Sequence, residues 1–130
     1  MFCRLLPLTW KDFDKAIKLI AEQVDTDKIK AIYGEPRGGL CLAVALSHQL
    51  DIPLVNHSGD HVLWIDDIIE TRRTLDRNSH KFGQCAAWLV RSPQHDCIHA
   101  FEVGDGWIVF PWENLSKAEK DMKEYALSRQ

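Results

Sequence analysis

The chain has no apolar run of membrane-span length, no CxxC pair among its four cysteines, and no excess of positive charge. Each absence removes a class of protein. A helix that crosses a bilayer needs about 20 consecutive apolar residues, so no membrane partner is expected. With 16 Lys+Arg against 19 Asp+Glu the net charge is −3, and no nucleic-acid partner is expected either. Cys3, Cys41, Cys85 and Cys97 are widely scattered, whereas a disulfide framework needs patterned spacing and a secretory signal. The opening MFCRLLPL is too short for a signal core, and the expectation is a reduced, cytoplasmic protein. Repeats, low-complexity tracts and linkers are also missing, so residues 1–130 read as a single domain. At that length a chain buries about two-thirds of its unfolded surface.

What is present is concentrated in residues 62–74, VLWIDDIIETRRT. An apolar run of strand length ends in Asp66-Asp67; two apolar residues, the acid Glu70 and a turn rich in hydroxyls and arginine follow. Open α/β sheets place their ligands at the carboxyl ends of such strands. The residue types suit a site for sugar hydroxyls, a divalent cation and a phosphate side by side.

The rest of the chain reads as alternating helices and strands. Thr9 is placed to cap a helix over 11–23, where Phe13, Ile17, Ile20, Ala21 and Val24 share one face. Strands are expected over 29–34, from 53, over 62–65, 85–90 and 98–103, and near 107–110. Helices are expected over 40–50, 74–81 and from Ser116, whose spacing to Glu119 fits a capping box. This alternation predicts an α/β fold, a mainly parallel sheet flanked by helices.

Two further segments join the acidic turn. Gly34-Glu35-Pro36-Arg37-Gly38-Gly39-Leu40 leaves a strand and enters a helix, with glycines for close backbone approach and an arginine for charge. Trp107-Ile108-Val109-Phe110-Pro111-Trp112-Glu113 offers an aromatic face able to stack a planar base. In this order the three segments resemble the type I phosphoribosyltransferases, in particular the small bacterial xanthine-guanine and hypoxanthine enzymes.

The resemblance implies transfer of a 5-phosphoribosyl group from phosphoribosyl pyrophosphate to a 6-oxopurine base, with Mg²⁺. It implies that Pro36, Arg37 and Gly38 hold pyrophosphate, and that Asp66 and Asp67 serve the ribose hydroxyls and the metal. Glu70, Thr71, Arg72, Arg73 and Thr74 would surround the 5′-phosphate, with Glu70 near the imidazole edge of the purine as a catalytic group. Arg91, Trp107 and Ile108 would hold the base. A homo-oligomer, dimer or tetramer, is implied as well.

The sequence departs from the family in two places. Where the family reads Asp-Thr-Gly-x-Thr, this chain has Glu70-Thr71-Arg72-Arg73-Thr74; a non-glycine residue forced into left-handed backbone costs about 1–2 kcal/mol. Only Asn56-His57-Ser58-Gly59-Asp60-His61 stands where a long mobile flap is usual, which leaves a shortened flexible loop. Both departures keep a second reading open, a non-catalytic nucleotide-binding or regulatory protein on the same fold. Three plainer readings complete the analysis. His95-x-Cys97-x-His99 lacks a fourth ligand and is read as incidental rather than metal-binding. Trp112 is equally a core aromatic, and the charges over 117–123 are read as the solvated face of the last helix.

Overall fold

A computed structural model describes residues 4–92 and 96–128. The elements run β1 (Leu5–Pro7), α1 (Trp10–Gln23), β2 (Ala31–Gly34), α2 (Gly39–Leu50), β3 (Gly59–Ile69), α3 (Arg72–Ser79), β4 (Phe82–Val90), β5 (Ile98–Glu102), β6 (Trp107–Val109) and α4 (Leu115–Ser128). Strands β2-β3-β4-β5 lie in that order in one sheet, and β1 pairs with β6 in a second, two-stranded one. Every strand pair is parallel. The carboxyl ends of β2, β3, β4 and β5 therefore share one edge of the sheet.

Sequence chemistry explains the helix starts. The Thr9 hydroxyl accepts from the Asp12 amide at 3.1 Å, and the Asp12 carboxylate accepts from the Thr9 amide at 2.8 Å. This reciprocal cap satisfies two amides that the helix itself leaves unpaired. Phe13, Ala16, Ile17 and Ile20 then face the core. For α4 the cap is Asn114, whose side-chain oxygen accepts from the Lys117 amide at 2.9 Å. The Ser116 cap is thus replaced by one two residues earlier, and the helix begins at Leu115.

The central strands are apolar on both faces because both faces are covered. Leu63, Ile65, Ala86 and Trp88 pack in one core with α1 and α2, while Val62, Trp64, Cys85 and Ala87 meet Leu75 of α3 in another. Burying a side chain such as Leu63 or Ile65 stabilises the fold by roughly 1.5–3 kcal/mol. That gain offsets the cost of carrying two carboxylates in the same strand.

Strand β3 is longer than the sequence pattern suggested. It pairs with β4 as far as Ile69↔Val90, so Asp66 and Asp67 lie inside the strand rather than in the turn after it. At its start β3 absorbs Gly59, Asp60 and His61, so the shortened loop is confined to residues 55–58. The strand expected at Pro53 is reduced to a single bridge, Ile32↔Leu54. A proline has no amide hydrogen to extend it. The short strand β1 was not anticipated, since its partner lies at the far end of the chain.

Cys41, Cys85 and Cys97 are free thiols; Cys3 and His95 lie outside the described residues. Among the described residues, no helix is long and apolar enough to cross a membrane.

Candidate active site

The turn after β2 packs directly on the end of β3. The Glu35 amide donates to the Ile65 carbonyl at 2.9 Å, and the Pro36–Arg37 peptide is cis. At Gly38 there is no room for a side chain: an added Cβ would stand 1.9 Å from Asp67 Oδ2. The glycine therefore lets the Arg37-bearing turn lie against the acidic strand. Each carboxyl group of that strand commits one oxygen to a local amide, Asp66 Oδ1 accepting from Asp67 N and Asp67 Oδ1 from Ile68 N, both at 2.8 Å.

Neither Asp66 nor Asp67 has a cationic partner within 4.0 Å among the described residues. Burial first, and then the charge of Asp67, push the Asp66 carboxyl up to about 8. Burial also raises Asp67, with Glu113 adding to the effect. Two half-buried carboxyls without a counter-ion form an oxygen donor set suited to a hard divalent cation. Among the described residues no third carboxylate, histidine or cysteine completes a cluster with them.

Beyond β3, Glu70 leads to Thr71, the N-cap of α3, and no side chain caps this helix. A helix start of this kind suits an anion. Arg72 is the first residue of α3, and Asp51 is the only described non-glycine residue with positive φ. The strain expected at Arg72 is therefore absent. Its guanidinium pairs with Asp76 at 2.9 Å and with Asp96 through two nitrogens. Arg73 is exposed and Thr74 half-buried.

Arg91, at the end of β4, is held far more tightly, with its side chain only 16% exposed against 50% for Arg72. It pairs with Glu70 at 2.9 Å and donates to the carbonyls of Gly104 at 2.7 Å and Gly106 at 2.8 Å. Gly106 has φ 142°, and a Cβ there would meet Leu6 of β1 at 2.3 Å. Glycine and arginine together shape the turn that presents Trp107.

Two adjoining cavities collect these groups. The larger, about 580 Å³, is lined by Arg37, Gly38, Asp67, Trp107, Glu113 and the start of α4. The other, about 480 Å³, is lined by Asp67, Ile68, Glu70, Thr71, Arg91, Trp107, Ile108 and Tyr125. Asp67, Trp107 and Glu113 belong to both walls, which makes one continuous cleft. Of the candidate residues, Arg37, Gly38, Asp67, Glu70, Thr71, Arg91, Trp107 and Ile108 line it. Asp66, Arg72, Arg73 and Thr74 do not, and Pro36 lines an apolar groove elsewhere.

This architecture has solved counterparts. A purine phosphoribosyltransferase from Pyrococcus horikoshii Ot3 is 31% identical, with a TM-score of 0.69 over 85% of this chain and 94% of its own. The chain belongs to the type I phosphoribosyltransferase family. The xanthine-guanine phosphoribosyltransferase of Desulfotalea psychrophila is 27% identical over 143 residues, 88% of this chain and 89% of that protein. A Helicobacter pylori xanthine-guanine-hypoxanthine phosphoribosyltransferase shares the fold, with a TM-score of 0.64 and 19% identity over 88% of this chain and 97% of its own. No family model matches the chain.

The phosphoribosyltransferase cleft also has walls that sequence reasoning missed. Lys117, Asp121 and Tyr125 of α4 line it. They recur at i, i+4 and i+8, the signature of one helical face, and Tyr125 meets Trp107 at 5.5 Å between ring centroids. The 117–123 charges thus divide. Lys120–Glu124 and Lys123–Glu119 pair on the outer face, while exposed Lys117 and half-buried Asp121 line the cleft. Trp112 stacks on Phe110 at 5.2 Å and packs against Trp88 and Phe13. It belongs to an aromatic core and also lines the larger cavity.

Proposed function

We propose that this chain transfers the 5-phosphoribosyl group of phosphoribosyl pyrophosphate to a 6-oxopurine, hypoxanthine, guanine or xanthine, and releases pyrophosphate. The observation that carries the reading is the cleft itself. The Arg37–Gly38 turn, the acidic strand, the uncapped start of α3 and the Trp107 platform meet along one edge of the sheet. The purine specificity of the Pyrococcus and Desulfotalea relatives supports the choice of base.

In this reading Arg37 and the turn amides stabilise the charge that develops on departing pyrophosphate. The 5′-phosphate takes the start of α3, with the hydroxyls of Thr71 and Thr74 beside it. Asp67, and Asp66 next to it, orient the ribose and hold Mg²⁺, which supplies positive charge to the leaving diphosphate. The base lies on Trp107, its edge read by the Ile108 backbone. Glu70 stands at the end of β3 to accept a proton from the attacking nitrogen. Arg91 shares its charge between Glu70 and the 6-oxo group while fixing the 104–106 turn. A homo-oligomer belongs to the same reading, supported by the exposed apolar strip of Leu40, Val44 and Leu54.

The test is calorimetric titration with GMP, IMP and phosphoribosyl pyrophosphate in Mg²⁺, followed by pyrophosphate release with each base in turn. Base-dependent release is the expected result and names the substrate. Nucleotide binding without release under any base would overturn the catalytic reading.

A further inference from the structure

We propose that Lys117 is a second cationic ligand for the diphosphate of the substrate, sharing the larger cavity with Arg37, so that α4 does the covering that the short 55–58 link cannot. The inference rests on the phosphoribosyl pyrophosphate reading above.

Both cations line the same cavity. Among the described residues neither has a carboxylate within 4.0 Å, although most lysines on the same helix do. Lys120 and Lys123 are paired with glutamates one turn away. Lys117 has the same opportunity in Asp121, one turn on and in the same wall, yet the two stay beyond ion-pair distance. A lysine that lines a cavity and leaves its nearest carboxylate unused is placed for an anion from solution. Phosphate suits it, because ammonium binds phosphate as a compact point charge while the arginine of the same cavity supplies a planar fork.

The attachment of α4 fits a covering role. Ala118 is its only buried residue among those described, and Tyr125 rests on the Trp107 ring. The helix thus touches both halves of the cleft, the base platform through Tyr125 and the Arg37 side through Lys117. It is held by few core contacts, so it can settle onto a ligand without unpacking the sheet.

The test uses the full chain and the variants Lys117→Ala, Lys117→Gln and Lys117→Arg. Inorganic pyrophosphate with Mg²⁺, and separately GMP, are titrated calorimetrically, and KM is measured for phosphoribosyl pyrophosphate and for base. Removing the charge is expected to weaken pyrophosphate and raise the phosphoribosyl pyrophosphate KM roughly tenfold. GMP affinity and the KM for base should move less than about twofold, with arginine restoring most of the loss. Unchanged pyrophosphate affinity in Lys117→Ala overturns the proposal. So does an equal loss of GMP affinity, which would mark a merely structural role. If the wild-type chain transfers to no base yet its pyrophosphate affinity depends on Lys117, the transferase reading fails and the diphosphate site stands.

Discussion

Gly38→Ala isolates the contact on which the site is built. Gly38 has φ −62° and ψ −32°, ordinary helical backbone that alanine adopts freely. On conformational grounds alone the substitution should stabilise the protein by about 0.4–1 kcal/mol. The structure predicts the opposite sign, because the new Cβ would stand 1.9 Å from Asp67 Oδ2 and 2.4 Å from its Cγ. An ordinary contact begins near 3.4 Å, so the groups must part by about 1.5 Å. Asp67 can rotate away only by giving up its 2.8 Å bond to the Ile68 amide; otherwise the Arg37 turn must lift off β3. Overpacking of this kind costs about 1–3 kcal/mol, or roughly 4–12 °C in Tm for a chain of this size.

Transfer activity should fall about a hundredfold, since displacements near 1 Å suffice for that. The decisive assay is a double-mutant cycle with Asp67→Ala, read by thermal and denaturant unfolding. With the carboxylate gone, Gly38→Ala should lose its penalty and show the small conformational gain. Equal destabilisation in both backgrounds would refute the reasoning, and so would an unchanged Tm in the wild-type background.

Three other perturbations follow from the site. Asp66 is held up near 8, chiefly by burial, so the native state keeps a proton that the unfolded chain has released above its ordinary 3.8. Its contribution to stability is therefore full at low pH and is lost as pH rises through about 8. Metal-free denaturant curves should show wild type losing stability relative to Asp66→Asn across that window, and a constant difference would contradict it. Arg72→Gly should not raise activity, because the arginine is helical and turned toward Asp76 and Asp96; its ion pairs are exposed and contribute little to stability. A tenfold gain in turnover would show that the arginine obstructs phosphate. Cys41 is exposed, whereas burial pushes Cys85 up to about 11 and Cys97 to about 12. In a Cys3→Ser, Cys41→Ser variant, native thiol labelling at pH 8 should vanish and return on unfolding; fast native labelling would place a buried thiol at the surface.

The core of the fold was legible because its signals are local. An apolar run, a hydroxyl cap at Thr9 and two glycines after a strand each act within a few residues. The candidate site was legible in the same way, as strand ends carrying charge. What escaped the sequence depends on distant partners. Asp66 and Asp67 read as a turn because carboxylates rarely occupy a strand interior, and only pairing with β4 keeps them there. The conformation of Arg72 could not be foreseen without Asp96, which lies 24 residues away. Lys117 and Asp121 merged with the surface charges of α4 because no local rule marks the face of an amphipathic helix that looks into a polar cavity. Only their i, i+4 spacing with Tyr125 hinted at it.

The pairing of β1 with β6 gives the chain an order of assembly. Leu5 lies beside Trp107, so the first described strand finds its partner about a hundred residues later. Closing so long a loop is entropically unfavourable and slow relative to local contacts. During synthesis the four-stranded sheet can take shape while the start of the chain still waits for residues 107–109. The tryptophan that would carry the base is therefore among the last parts to be set, and its position depends on the opposite terminus. In the proposed complex, a chain emerging from the ribosome would possess the edge that takes phosphate before the seat for the base, which waits for residues 5–7 and 107–109 to meet.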